Sequence, residues 1–148
     1  MSTDLYSLED HENPTSKNTF TWIKCNESTS AERVYFYHNK DKTGWALKGA
    51  TGSIRNKNLL LYSFKIPYEE GNITKTYNLT HEFQAQESID DPADAVTIYM
   101  AEEAQVTITI NTFTQRATGS FKATFEDRSA HMNVTGDFEM FEIQYEQF

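Results

Sequence analysis

The chain has 148 residues, of which 22 are acidic and 13 basic, and its net charge is −9. This length suits one domain that can bury a core without disulfides or metals. A strongly negative surface repels nucleic-acid phosphates and anionic membranes, so we expect neither as a partner, whereas a basic protein would be attracted. No apolar run approaches the ~18 residues that a membrane-spanning helix requires.

The first 17 residues are polar and have no sustained period, and they contain Pro14. We predict a flexible arm over 1–17 and a single domain over 18–148. The start of the chain lacks the basic and apolar stretches of a secretion signal, so we expect a cytoplasmic location. Four Asn-X-Ser/Thr triplets begin at Asn26, Asn72, Asn78 and Asn133, and we attribute them to a composition rich in these residues.

Extended segments follow one another from Thr19. Residues rich in β-branched and aromatic side chains, separated by polar turns, predict strands. These segments are Thr19–Cys25, Arg33–Tyr37, Trp45–Arg55, Leu59–Ile66 and Ile73–Phe83. Within the third, Gly49 and Gly52 are expected at bulges or bends. The single cysteine, Cys25, is expected to be a small buried hydrophobe at the end of the first segment.

Gln84–Ala95 is the longest polar stretch, and we expect a loop there. Its Asp91-Pro92 pair has the form of a helix N-cap, which favours at most one short helix near residues 90–95. The apolar residues of Pro92–Ala104 also fit a helix. We prefer a strand for Val96–Met100, because β-branched residues and tyrosine suit a pleated surface.

Three consecutive segments of the C-terminal third hold a period of two. Apolar residues alternate with polar ones along Val106–Asn111, Ala117–Phe125 and Met132–Met140. Successive side chains of a strand point to opposite faces, so each segment has one apolar and one polar side. The short linkers permit hairpins and therefore antiparallel pairing. We predict an all-β domain of about eight or nine antiparallel strands, either a β-sandwich or an up-and-down β-barrel.

The closing pair of segments contains Thr118-Gly119-Ser120-Phe121 and, further on, Val134-Thr135-Gly136-Asp137-Phe138. In its rhythm this stretch resembles the closing hairpin of small bacterial all-β proteins of unknown function. The resemblance covers about a quarter of the chain and implies a β-hairpin, with no catalytic or ligand-binding residue.

Five aromatic residues are candidates for a ligand pocket or an exposed binding platform: Tyr35, Tyr37, Trp45, Tyr62 and Tyr68. The alternative for all five is ordinary packing in the core or on a strand face. In a strand, Val34 and Phe36 share one face while Tyr35 and Tyr37 share the other. If the first pair lies in the core, the two tyrosines face solvent or a partner.

Metal and catalytic motifs are weak. A local group of carboxylates, Glu87, Asp90, Asp91 and Asp94, supplies oxygen atoms that Ca²⁺ prefers, but it lacks the glycine-containing pattern of a calcium loop. We therefore expect a solvated acidic loop and no cofactor. No nucleophile elbow, zinc motif or phosphate-binding loop is present in the sequence, so we do not expect an enzyme.

The sequence favours a non-enzymatic module that binds a protein partner. One version is an acidic immunity or inhibitor protein that masks a basic partner, with association accelerated by charge. The alternative is a small-ligand or carbohydrate-binding protein with an aromatic-lined site, which for sugars requires an exposed Trp45 or exposed tyrosines. The oligomeric state stays open at this point.

Overall fold

A computed structural model of the chain describes residues 17–39, 44–79, 83–90, 96–127 and 130–145. Within these ranges the regular elements are antiparallel strands, with no helix, so the all-β prediction is confirmed. The strands are β1 (Thr19–Lys24), β2 (Glu27–Ser30), β3 (Arg33–His38), β4 (Gly44–Thr51), β5 (Leu60–Pro67), β6 (Asn72–Asn78), β7 (Gln84–Asp90), β8 (Val96–Asn111), β9 (Arg116–Asp127) and β10 (Ala130–Met140).

The strands form one curled sheet, a half-barrel, in the order β2-β1-β10-β9-β8-β7-β5-β4-β3. The long strand β8 belongs to two parts of it. Its first half, Val96–Met100, pairs with β7, and its second half pairs with β9 on one side and β6 on the other. A register shift between Ala101 and Glu103 separates the halves. We call the part containing β2, β1, β10, β9 and β6 the first sheet and the part containing β7, β5, β4 and β3 the second sheet.

The core lies between the two sheets and is dominated by aromatic rings. Phe64 of the second sheet lies 4.6 Å from Phe121 of the first, measured between ring centroids. Trp22 of the first sheet contacts Tyr62 of the second in an edge-to-face geometry at 5.0 Å. Large aromatic side chains fill such a core from few positions, and edge-to-face and offset pairs are the arrangements that the ring quadrupole favours.

The two-residue rhythm between Val106 and Met140 is confirmed. Most of its apolar positions are buried and most of their neighbours are exposed, and the three segments lie in the consecutive strands β8, β9 and β10. The preference for a strand over a helix at Val96–Met100 is also confirmed.

The structure describes ten strands where about eight or nine were predicted, because two of them come from segments without an apolar pattern. β2 has the sequence ESTS and pairs only with β1 among the described strands. β7, predicted as part of a polar loop, is a strand between β5 and β8. The prediction was wrong for β7 because its inward-facing Glu87 finds buried polar partners that the local sequence does not reveal.

Cys25 is exposed, which corrects the prediction of a buried thiol. β1 ends at Lys24, and the two-residue turn Cys25-Asn26 connects it to β2. Both turn residues have positive φ, 54° and 64°. Two-residue turns of this kind match the right-handed twist of a hairpin, which places the Cys25 side chain outside the core.

Gly52 has a φ of 70° directly after β4, so the predicted bend is confirmed there. Gly49 is not at a bulge. It keeps regular register with Val34 and Tyr62 on the neighbouring strands, and the Phe20 ring packs where a Cβ atom would lie. Glycine at this position allows the two sheets to approach closely.

Two predictions lie largely outside the described residues: the arm over 1–17, of which only Lys17 is described, and the short helix near residues 90–95, of which only Asp90, the last residue of β7, is described. In the part of the chain that the structure describes, no helix has the length and apolar character to cross a bilayer.

Candidate functional site

Tyr35 and Tyr37 lie on the outer face of the second sheet, each partly exposed. Val34 and Phe36 are in the core, so the predicted division of β3 between its two faces is confirmed. The Lys48 ammonium lies 5.5 Å from the centroid of the Tyr37 ring, and Tyr145 contacts the same ring at 5.7 Å. The Tyr37 ring is therefore held by neighbouring side chains and does not project freely.

Trp45 is buried, and it cannot serve as the exposed stacking surface that the carbohydrate hypothesis required of it. Its ring is stacked between Phe36 at 4.6 Å and the half-buried Tyr68 at 5.5 Å. His38 contacts both Trp45 and Tyr68 edge to face. The structure thus brings Trp45 and Tyr68 together, as packing at one end of the core.

Tyr62 is fully buried at the opposite end of the core, where it belongs to a polar cluster. Its hydroxyl donates a hydrogen bond to Glu87 Oε2 at 2.5 Å, and Lys24 Nζ donates to the same oxygen at 2.8 Å. Glu87 is fully buried, and its Oε1 atom has no hydrogen-bond partner in the described structure. The Lys24–Glu87 pair joins the first sheet to the second across the core.

The carboxylates considered for calcium are not gathered on a described loop. Glu87 and Asp90 lie in β7, with Glu87 facing inward toward Lys24, while Asp91 and Asp94 are outside the described residues. Among the residues with described positions, no three His, Cys, Asp or Glu side chains form a group that could hold a metal ion.

A groove lies on the outer face of the second sheet beside Tyr37. Lys65 and Gln84 also line this groove, together with the small residue Ala46. The wall therefore combines an aromatic ring with a cation and an amide, groups that can contact a sugar or another polar ligand.

The first half of β8 exposes two large apolar side chains on the outer face. Ile98 is 57% exposed and Met100 is 52% exposed, although both belong to a regular strand. The two side chains lie on the same face of the strand, two residues apart. We call Ile98 and Met100 the apolar pair.

Exposed carboxylates follow the apolar pair where β8 changes sheets. Glu102 and Glu103 lie at the register shift, and Glu126 follows Phe125, which pairs with Ala101. We call Glu102, Glu103 and Glu126 the acidic corner. Carboxylates that stay in water keep their charge available for a partner's lysine or arginine side chains.

His131 of β10 is the imidazole at this corner. Its Nδ1 atom lies 2.7 Å from Glu102 Oε1, and its backbone is in register with Glu126. The hydrogen bond with Glu102 and then the negative charge of that carboxylate raise the pKa of His131, with a further contribution from Glu126. Protonation of His131 therefore offsets part of the negative charge of the acidic corner.

Sequence reasoning missed both the apolar pair and the acidic corner. A signal was present in Val96-Thr97-Ile98-Tyr99-Met100, where strand residues without charge are followed by Ala-Glu-Glu. Alternation in this run places apolar side chains on both faces of the strand, so one face must expose them unless another element covers it.

The described residues define a class of protein by fold alone: an antiparallel β half-barrel with one aromatic core, whose longest described strand carries exposed apolar and acidic side chains. Comparisons of the chain with protein-family models, with curated proteins and with solved structures found no match.

Proposed function

We propose that this chain is a non-enzymatic module that binds a basic protein partner through the apolar pair and the acidic corner. The observation that carries the proposal is the position of exposed Ile98 and Met100 directly before the exposed carboxylates of β8. Apolar contacts give affinity where water is excluded, while charges around them guide the encounter and select the sign of the partner.

The overall charge supports the same choice of partner. The chain carries a net charge of −9, so its field attracts a basic protein from a distance and repels an acidic one. An immunity or inhibitor protein that covers a basic toxin or nuclease is one form of this function. The association rate of such a pair should fall as salt is added, because salt screens the attraction.

The experiment is to isolate a partner from a lysate of the native host, identify it, and measure binding with purified proteins. We expect a basic partner whose affinity drops about tenfold or more when Glu102, Glu103 and Glu126 are all changed to glutamine. The matched control changes Glu27, Glu70 and Glu139, three exposed acids elsewhere, to glutamine and removes the same total charge. Equal losses in the two triple variants would show that only net charge matters and would refute the site.

A second candidate, the binding of a small carbohydrate, is favoured by the groove beside Tyr37. A sugar ring lying along the groove would contact the Tyr37 ring and hydrogen-bond to Lys65 and Gln84. A glycan array with the native chain and with Tyr37→Ala tests this candidate. Binding that survives the substitution unchanged would exclude the groove as the site.

A further inference from the structure

The edge of β8 next to the apolar pair has no described partner strand. Val96–Met100 pairs with β7 on one side, while pairing with β9 on the other side begins only at Ala101. Over this half-strand, no described strand pairs with the backbone donors and acceptors along one edge.

The register shows which backbone groups these are. The Asp90 amide donates to the Leu59 carbonyl, so Asp90 and Ser88 direct their backbone groups toward β5. Because alternate residues of a strand bond to opposite neighbours, the backbone groups of Glu87 and Ile89 point toward β8. There the two residues pair with Tyr99 and Thr97, respectively. The N–H and C=O groups of the intervening residues, Val96, Ile98 and Met100, consequently point to the open edge.

The other described edge strands carry protective features that the described residues do not supply at Val96–Met100. β2 has only four residues and begins with Glu27, and β6 carries Lys75 at its centre. β3 is bridged by reciprocal hydrogen bonds between Phe36 and Gln144. Short length, charge and covering segments are the usual means by which proteins prevent strand addition. Val96–Met100 has no charged residue and consists of types that favour strands.

The charges at both ends of this edge determine which kind of segment could pair with it. The acidic corner follows Met100, and the carboxylate of Asp90, in register with Val96, has a buried Oδ2 atom without a hydrogen-bond partner in the described structure. An extended segment with uncharged residues at its centre and lysine or arginine at its ends matches this pattern. A second copy of the chain would bring the acidic corner near another acidic end, which disfavours self-pairing.

We propose that the partner adds an extended basic segment as a new strand along the open edge of Val96–Met100. This inference rests on the proposed function and names its binding mode, β-strand addition, in which backbone hydrogen bonds supply affinity and alternate side chains supply specificity. The partner's side chains on the outer face would then lie beside Ile98 and Met100.

The probe is a synthetic peptide, Lys-Lys-Val-Thr-Val-Thr-Val-Lys-Lys, compared with the same sequence N-methylated at alternate central amides. N-methylation removes a backbone donor but keeps the charge and the side chains. Because only one of the two alternating sets of amides would face β8, two peptides are made, each methylated on one set. We expect the native chain to bind the plain peptide and to bind one methylated peptide about tenfold more weakly or worse. Amide exchange at Val96, Ile98 and Met100 should slow when the plain peptide is bound.

Two variants of the chain locate the binding edge. Ile98→Pro removes an outward N–H that the β7 ladder does not use, and Ile98→Lys places a charge on the edge; both should abolish binding of the plain peptide. Ile54→Lys is the matched control, because Ile54 is 60% exposed in a turn away from β8. Circular dichroism checks that each variant is folded.

The outcomes separate the binding mode from the function itself. Strand addition would be refuted if the plain peptide and both methylated peptides bound equally well. The proposed function would still stand if that binding were lost in the glutamine variant of the acidic corner. No binding of any peptide would refute strand addition by basic segments. A dimer in sedimentation that Ile98→Lys abolishes would assign the edge to a second copy and overturn the proposal.

Discussion

Asn18 and Glu142 join the two ends of the described domain through a buried side chain. The Asn18 amide donates to the Glu142 carbonyl at 2.8 Å, and its oxygen accepts from the backbone amides of Glu142 at 3.1 Å and Phe141 at 2.7 Å. One side chain thereby fixes the segment that follows β10 against the start of β1. The same segment then bridges to β3 through Gln144.

Asn18→Ala should lower the free energy of unfolding by about 2–3 kcal/mol, because it removes three hydrogen bonds to partly buried backbone groups of Phe141 and Glu142. Equilibrium unfolding in urea measures the loss. Asn56→Ala, in an exposed turn, is the control and should stay within about 0.5 kcal/mol of the native chain. A change of similar size in both variants would contradict the role of Asn18 in joining the two ends of the described domain.

Lys24→Met should destabilise the chain by about 3–5 kcal/mol, because it leaves the buried Glu87 carboxylate without its cation. Adding Glu87→Gln removes the charge while keeping an acceptor for Tyr62, so the double variant should recover part of that loss. Lys75→Met breaks the exposed Lys75–Glu69 pair and should cost less than about 1 kcal/mol. Strictly additive effects of the Lys24 and Glu87 substitutions in urea unfolding would mean that the buried pair is not coupled.

Gly49→Ala should destabilise the chain by about 1–3 kcal/mol, because the added methyl group would overlap the Phe20 ring at the centre of the core. Gly49→Ala should cost less free energy of unfolding in a chain that already carries Phe20→Leu than in the native chain. Gly44→Ala is a milder control, since its Cβ would meet only the Ile66 carbonyl at 3.3 Å. Thermal unfolding orders the three variants, and equal stability of Gly49→Ala and the native chain would disprove the close approach.

Binding of a basic peptide at the acidic corner should strengthen as pH rises through the pKa of His131. This pKa is raised by the Glu102 carboxylate, so His131 is protonated on the acid side and loses its positive charge above that pKa. The corner then becomes more negative, and we expect an affinity gain of about two- to threefold at low salt. Titrations with the plain peptide from about pH 5.5 to 8.5 check it.

His131→Asn should remove this step and leave the affinity flat over the same range. The sign for stability is the opposite of the sign for binding. A raised folded-state pKa makes the His131–Glu102 contribution fully present below the unfolded pKa, and it is lost as pH rises through the folded value. A peptide affinity that falls with pH in the native chain would contradict the assignment.

The fold was predictable where burial follows a local rule. Along Val106–Asn111, Ala117–Phe125 and Met132–Met140 most apolar residues face the core and most of their polar neighbours face water, so alternation locates the second half of β8, and β9 and β10. β7 was not predictable in this way. Its inward carboxylate, Glu87, is stabilised by Lys24, a residue far away in sequence that only the folded sheet brings close.

The candidate site was predictable only in part, for a similar reason. Tyr35 and Tyr37 face outward as the pattern of β3 indicates, whereas Trp45 is buried and stacks with Phe36 and Tyr68. The edge of Val96–Met100 depends on which strands lie next to it. Pairing partners are a property of the whole topology, and no local pattern in these five residues specifies them.

Strand β8 also constrains how the molecule can come apart. Since one continuous strand supplies pairing to β7, β9 and β6, neither sheet can lose this strand without exposing the aromatic core of the other. Unfolding should therefore be a single cooperative transition, and a ligand that holds the first half of β8 would stabilise the entire half-barrel against heat.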